Sequence, residues 1–159
     1  MINVGDRLPE ATFTTPSPEG PQQVTTDQVF KAKKVVLFAV PGAFTPTCSA
    51  RHLPGYTDKA AEFRAKGVDT VACLSVNDAF VMGAWAKDQA AGEHVLMLAD
   101  GNGDFTSKLG LGMDASKYGM GQRSQRYAML VEDGVVKDLQ VEQAGEFRVS
   151  SAEHMLERV

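Results

Sequence analysis

Cysteine is scarce in this chain: only Cys48 and Cys73 occur among 159 residues. Two thiols cannot build a disulfide framework, and their rarity points to a reducing, cytoplasmic compartment. They are not spaced as Cys-x-x-Cys, the pattern a thiol–disulfide oxidoreductase normally needs. The histidines are also few. His52, His94 and His154 are isolated and offer no Cys/His metal spacing. No basic run is dense enough to suggest nucleic acid or an anionic membrane, and 16 basic residues against 20 acidic ones leave a net charge of −4. The apolar runs are too short to cross a bilayer, and Met1-Ile2-Asn3-Val4-Gly5-Asp6 has no basic-then-apolar leader pattern. The expectation is a soluble protein that folds as one domain over 1–159, a length that buries a proper core.

The elements that are present form an ordered series. Pro16-Ser17-Pro18-Glu19-Gly20-Pro21 reads as an exposed turn after an N-terminal arm. The run 34–40 is apolar and β-branched without alternation, as a strand buried on both faces requires. A helix is expected from Pro46 to Lys66, closed by Gly67 and broken at Pro54-Gly55, because Pro54 cannot donate to the Ala50 carbonyl and crowds it. Its second segment would run over 56–65. A strand over 68–76, a helix over 79–91 capped by Asn77 or Asp78 and ended near Gly92, and a strand over 95–99 follow.

Asp100-Gly101-Asn102-Gly103-Asp104 lacks the full calcium-loop ligand set and reads as a turn before a helical stretch at 105–109. The Gly-rich residues 110–121 read as an irregular loop. Asp133-Gly134 between 127–132 and 135–141 is a hairpin signal. Ser150 with Glu153 has the capping-box spacing, ahead of an apolar face of Ala152, Met155, Leu156 and Val159. Alternating strands and helices, then a hairpin and a last helix, predict an α/β fold with a mixed central sheet flanked by helices on both faces.

The most informative stretch is Thr45-Pro46-Thr47-Cys48, at the carboxyl end of the strand over 34–40. Thr45 suits an N-cap and Pro46 the first helical position, which leaves Cys48 near N3, where free N–H groups and the helix dipole favour an anion. A thiolate is the nucleophilic form of cysteine. Taken alone, Cys48 is either a small buried hydrophobe or a functional thiol, and its place at the end of a strand favours the second.

Pro41-Gly42-Ala43-Phe44-Thr45-Pro46-Thr47-Cys48-Ser49 resembles the signature of the peroxiredoxins. His52-Leu53-Pro54-Gly55-Tyr56, Ala72-Cys73-Leu74-Ser75-Val76-Asn77-Asp78-Ala79-Phe80-Val81, Gln122-Arg123-Ser124-Gln125-Arg126-Tyr127 and Val131-Glu132-Asp133-Gly134-Val135-Val136 resemble its type II, peroxiredoxin-5-like subgroup. The resemblance covers nearly the whole chain. It implies a thioredoxin-like fold and a thiol-dependent peroxidase without a cofactor that reduces hydrogen peroxide and organic hydroperoxides. It makes Cys48 the peroxidatic cysteine, which passes through a sulfenic acid. Thr45 would orient the peroxide, Pro41 would shield the pocket and Arg126 would be the pocket arginine. Without the resemblance Arg126 reads as a surface arginine beside Arg123. Phe44 and Phe80 become candidates for a homodimer interface, and Trp85, Phe80 and Met82 otherwise read as core or interface. His52, four residues after Cys48, could reach the thiol's surroundings but reads more simply as an exposed or structural histidine.

Reduction of the sulfenic acid leaves alternatives. Some type II relatives resolve it with a cysteine at the place of Cys73, in a thioredoxin-dependent two-cysteine cycle. Cys73 is expected mid-strand, about 10 Å below the sheet edge, whereas a disulfide needs Cα atoms within roughly 7 Å. The other resolving position of the subgroup falls on Val149-Ser150-Ser151, where there is no cysteine. The reading is therefore a buried core Cys73 and a one-cysteine cycle fed by glutathione or glutaredoxin. The Pro54 break would let the Cys48 segment unwind and present its oxidised sulfur. A non-catalytic peroxide sensor or holdase is the rival class.

Overall fold

The computed structural model describes residues 1–159. In chain order the elements are β1 (Thr12–Thr15), β2 (Gln22–Thr25), α1 (Thr26–Phe30), β3 (Lys34–Ala39), α2 (Leu53–Ala65), β4 (Thr70–Ser75), α3 (Ala79–Asp88) and β5 (Leu96–Ala99). Then come α4 (Asp104–Leu109), β6 (Gly112–Asp114), β7 (Gln122–Ser124), β8 (Tyr127–Glu132), β9 (Val135–Val141) and α5 (Ala152–Leu156). Seven strands form one sheet in the order β2-β1-β5-β4-β3-β8-β9, with β3, β4 and β5 parallel and the outer pairs antiparallel. This is the expected mixed sheet.

Period-two alternation explains why β3 reads as one apolar run. Val36 and Phe38 face a core shared with α2, α3 and α5, while Val35, Leu37 and Ala39 face one shared with α1 and α4. Both faces are covered from Val35 onward, so only Lys34, at the half-buried start of the strand, is polar. On the α2 side, Phe38 stacks on Tyr56 with ring centroids 4.0 Å apart, and Tyr56 stacks on Phe63 at 5.6 Å. That aromatic column fastens α2 to the strand that leads into Pro41. The hairpin turn is as predicted: Asp133 and Gly134 take positive φ of 49° and 76°.

Several expectations are corrected. The N-terminal arm is a β-hairpin on the sheet edge, because Thr12 to Thr15 and Gln22 to Thr25 can pair across the proline-rich turn. The loop over 110–121 contains β6 and a short 3-10 turn at Ser116–Tyr118, and the partner strand β7 follows it directly. The helix over 79–91 stops at Asp88, with Ala90 already left-handed at φ 52°. The cap of α5 is Ser151, whose side chain accepts from the His154 N–H, since the Ser150 hydroxyl is spent on Glu142.

The largest correction concerns Pro54, which breaks nothing. Helix begins at Pro46, widens into a π-turn at Cys48–His52 closed by the Leu53 N–H on the Cys48 carbonyl, and continues as α2. The extra residue in the wide turn puts Pro54 in the first turn of the following α-segment, where a missing donor costs least. The segment that carries Cys48 is therefore continuous with a long helix.

Truncating the aromatic column by Phe38→Ala is expected to cost about 3–5 kcal/mol in urea unfolding. A loss below about 1 kcal/mol would show that the column does not fasten α2.

Candidate active site

The turn after β3 is held from several directions. The Val40 N–H donates to the Leu74 carbonyl at 3.0 Å, and the Ala43 N–H donates to Asn77 Oδ1 at 3.0 Å. The Ser75 hydroxyl donates to the same Oδ1 at 2.6 Å. Phe44 is left-handed at φ 64°, a conformation that a bulky residue keeps only where its surroundings impose it. Thr45 Oγ1 donates to the Gly42 carbonyl at 2.7 Å and accepts from no helical N–H, so it does not cap the helix and its lone pairs stay free to accept. Gly42 is buried, and a Cβ there would meet Met120 Cε at 3.1 Å, Thr45 Cγ2 at 3.2 Å and Arg123 Nη1 at 3.3 Å. Glycine is what lets these groups approach.

Cys48 is the third helical residue and has no exposed surface. Arg126, the residue before β8, extends Nη2 to Cys48 Sγ at 3.1 Å. A guanidinium only donates, so the sulfur accepts, a role a thiolate fills better than a thiol. Nη1 of the same arginine donates to His52 Nδ1 at 2.7 Å. The histidine must then carry its hydrogen on Nε2, which donates to the Ser150 carbonyl at 3.0 Å; the Tyr56 hydroxyl donates to the same carbonyl at 2.7 Å. Burial first, and then the Arg126 charge, hold His52 down at about 3, so it is neutral at ordinary pH. Arg123 lies in β7 and donates Nε to the Met120 carbonyl instead.

Cys73 lies mid-strand between Phe38 and Met97, fully buried and unbonded to Cys48. Burial, and after it the charge of Cys48, push its thiol well above the usual range. Phe44 and Phe80 are exposed, by 51% and 74%, in segments joined through the Asn77–Ala43 bond. Pro41 opens the turn, half-buried. A cleft of about 1210 Å³ lined by Asp78, Phe80, Asn102 and Asp104 includes none of Cys48, Thr45 or Arg126. Asp100, at its edge, spends its carboxylate on the Phe105 and Thr106 N–H groups and the Thr106 hydroxyl, as a turn before α4 requires.

The structure thus brings Cys48 and Arg126 into contact and keeps Cys73 apart as a core residue. Sequence reasoning raised His52 as able to reach the thiol's surroundings but preferred an exposed or structural histidine; it is buried and bonded to Arg126. The available signal was its spacing, four residues and one helical turn after Cys48. Asn77, Tyr56 and Ser150 gave no comparable signal.

Comparison with known proteins bears on the family and the fold. A redoxin family model matches residues 3–156. The chain is 54% identical to the chloroplastic peroxiredoxin-2E of Arabidopsis thaliana, over 98% of this chain and 68% of that one. A structure of reduced Prx3 from Vibrio vulnificus in complex with hydrogen peroxide is 54% identical, superposes with a TM-score of 0.96 and covers 99% of both chains. Peroxiredoxin 5 from Alvinella pompejana is 35% identical with a TM-score of 0.87, over 98% of this chain and 96% of that one.

Neutral His52 has a consequence for acid stability. Between its ordinary value of 6.5 and about 3 the unfolded chain binds a proton that the folded chain refuses. Stability therefore falls as the pH drops through that window, by up to about 1.4 kcal/mol per pH unit. His52→Asn should flatten the dependence of unfolding free energy on pH there by close to one proton. Equal slopes for the two proteins in urea titrations would show that His52 does not stay neutral in the fold.

Proposed function

Since the chain belongs to the redoxin family and within it to the peroxiredoxins of type II, on a thioredoxin-like fold, we propose that Cys48 is its peroxidatic cysteine and Arg126 and Thr45 its substrate-binding partners. The observation that carries this reading is the 3.1 Å contact from Arg126 Nη2 to Cys48 Sγ. The Cys48 thiolate attacks one peroxide oxygen, an S–O bond forms and the O–O bond breaks. The departing oxygen leaves with the electron pair and takes a proton, giving water or an alcohol and a sulfenic acid on Cys48. Thr45 accepts from the peroxide hydroxyl, because its own hydrogen is held by Gly42. Arg126 donates to the oxygen on which charge builds; one such donor is worth about 3 kcal/mol. Pro41, with no N–H, forms the wall of the turn over the sulfur.

For the return step we propose an external thiol, glutathione or a glutaredoxin. Its thiolate attacks the sulfenic sulfur, releases water and leaves a mixed disulfide. A second thiol then attacks that disulfide, takes up the first as an oxidised pair and restores the Cys48 thiolate. The burial of Cys73 and the raised proton affinity of its thiol support this over a two-cysteine cycle. The chain acts as a single peroxiredoxin domain, and pairs as a homodimer through the exposed Phe44 and Phe80.

Cys48→Ser should abolish peroxide consumption, and Arg126→Ala should lower kcat/KM for hydrogen peroxide by about 100-fold or more. If the serine variant retained turnover, the assignment of the sulfur would be wrong. Cys73→Ser is expected to keep wild-type turnover with glutathione and glutaredoxin. Loss of activity with every reductant, in a folded variant, would establish Cys73 as the resolving thiol.

A further inference from the structure

Glu142, just past the end of β9, is a carboxylate that the proposed chemistry does not use and is only 8% exposed. Its Oε2 accepts from the Arg148 N–H at 2.8 Å, the Ser150 N–H at 2.8 Å and the Ser150 hydroxyl at 2.6 Å. A carboxylate withdrawn from water needs such donors, and here all of them come from one irregular strap between β9 and α5. The strap does two things to the site. Its Ser150 carbonyl accepts from His52 Nε2, and His52 Nδ1 in turn accepts from Arg126. Its Phe147 ring lies 4.9 Å from the His52 ring and 5.9 Å from the Arg126 guanidinium carbon, with Arg51 at 4.7 Å. Glu142 also reaches the arginine directly through the backbone, since its own N–H donates to the Arg126 carbonyl at 3.0 Å.

We propose that Glu142 is a positioning residue for the peroxidase step: it fixes Arg126 at both ends, the main chain by its N–H and the guanidinium by stapling the strap that holds His52. The inference rests on the reading of Cys48 and Arg126 given above. Glu142 touches neither peroxide nor sulfur, and its effect passes through the arginine. What matters in the side chain is an acceptor for the strap's donors, so a glutamine, whose amide oxygen still takes two of the three bonds, should largely replace it and an alanine should not.

The test measures two rates on wild type, Glu142→Ala and Glu142→Gln. One is the single-turnover oxidation of Cys48 by hydrogen peroxide, and the other is alkylation of Cys48 by iodoacetamide at neutral pH. Both should fall at least about tenfold in Glu142→Ala and stay within about threefold of wild type in Glu142→Gln. An alanine variant as fast as wild type overturns the proposal. So does a folded glutamine variant as slow as the alanine, because the charge rather than the bonds would then be at work. Should Glu142→Ala not fold, Ser150→Ala deletes one of the three bonds and leaves the carbonyl to His52. A severalfold loss in both rates is then expected, and no loss overturns the staple. Failure of the wild type to reduce peroxide would count against the peroxidase reading alone, since the alkylation rates still report whether Glu142 governs the contact of Arg126 with the sulfur.

Discussion

The contact between the Arg126 guanidinium and the Cys48 sulfur is the one on which the rest of the structure depends. It joins residues 78 positions apart in sequence, and strand register makes it possible. Antiparallel pairing of β3 with β8 sets Ala39 opposite Tyr127. The residue just before Tyr127 therefore sits beside the turn that leaves β3, where the helix carrying Cys48 begins. A slip of one residue would reverse every side chain of β8 and send the guanidinium to the opposite face. The apolar faces of the central sheet, buried on both sides, forbid that slip, so core packing and site geometry are one constraint.

Two supports meet at this contact. On the sulfur side the turn over 41–45 is pinned by Asn77, closed by the Thr45–Gly42 bond, and keeps Phe44 left-handed at a cost of about 1–3 kcal/mol. That strain persists because strands β3 and β4 and the Asn77 bonds hold the chain on either side. On the arginine side a neutral histidine offers a lone pair, where a charged one would repel the guanidinium. The low proton affinity of His52 is thus part of how Arg126 is aimed. Ser150 and Tyr56 complete the network with short bonds inside the fold, where unpaired groups would be costly.

Much of the fold could be read from the sequence wherever the information is local. The apolar run of β3, the Asp133-Gly134 hairpin, the Gly67 stop and the helical start at Pro46 each follow from a few adjacent residues. The errors arose where a local rule met a tertiary solution. Pro54 should break a regular helix, but one extra residue in a π-turn absorbs it. The Gly-rich stretch gave no periodicity, yet β6 and β7 pair across it. Ser150 has the spacing of a cap, but Glu142 claims its hydroxyl. In the site, Cys48 carries a local signature, whereas His52, Ser150 and Glu142 act through contacts up to 98 residues apart, which no window along the chain contains.

The same geometry bears on how the proposed sulfenic acid is reduced. Presenting the Cys48 sulfur means releasing the Arg126 bond and the bond from Trp85 Nε1 to the Ser49 hydroxyl, and unwinding a helical turn already loosened by its π-geometry. Those contacts lie at one end of a helix. Freeing Cys73 is a different undertaking, because β4 is paired with β3 on one side and β5 on the other. Its removal would open both cores at once. Local unwinding at Cys48 disturbs less of the structure than extraction of a central strand. An outside thiol that meets the unwound turn, as proposed, would leave the sheet, and with it the register that aims Arg126, intact through the cycle.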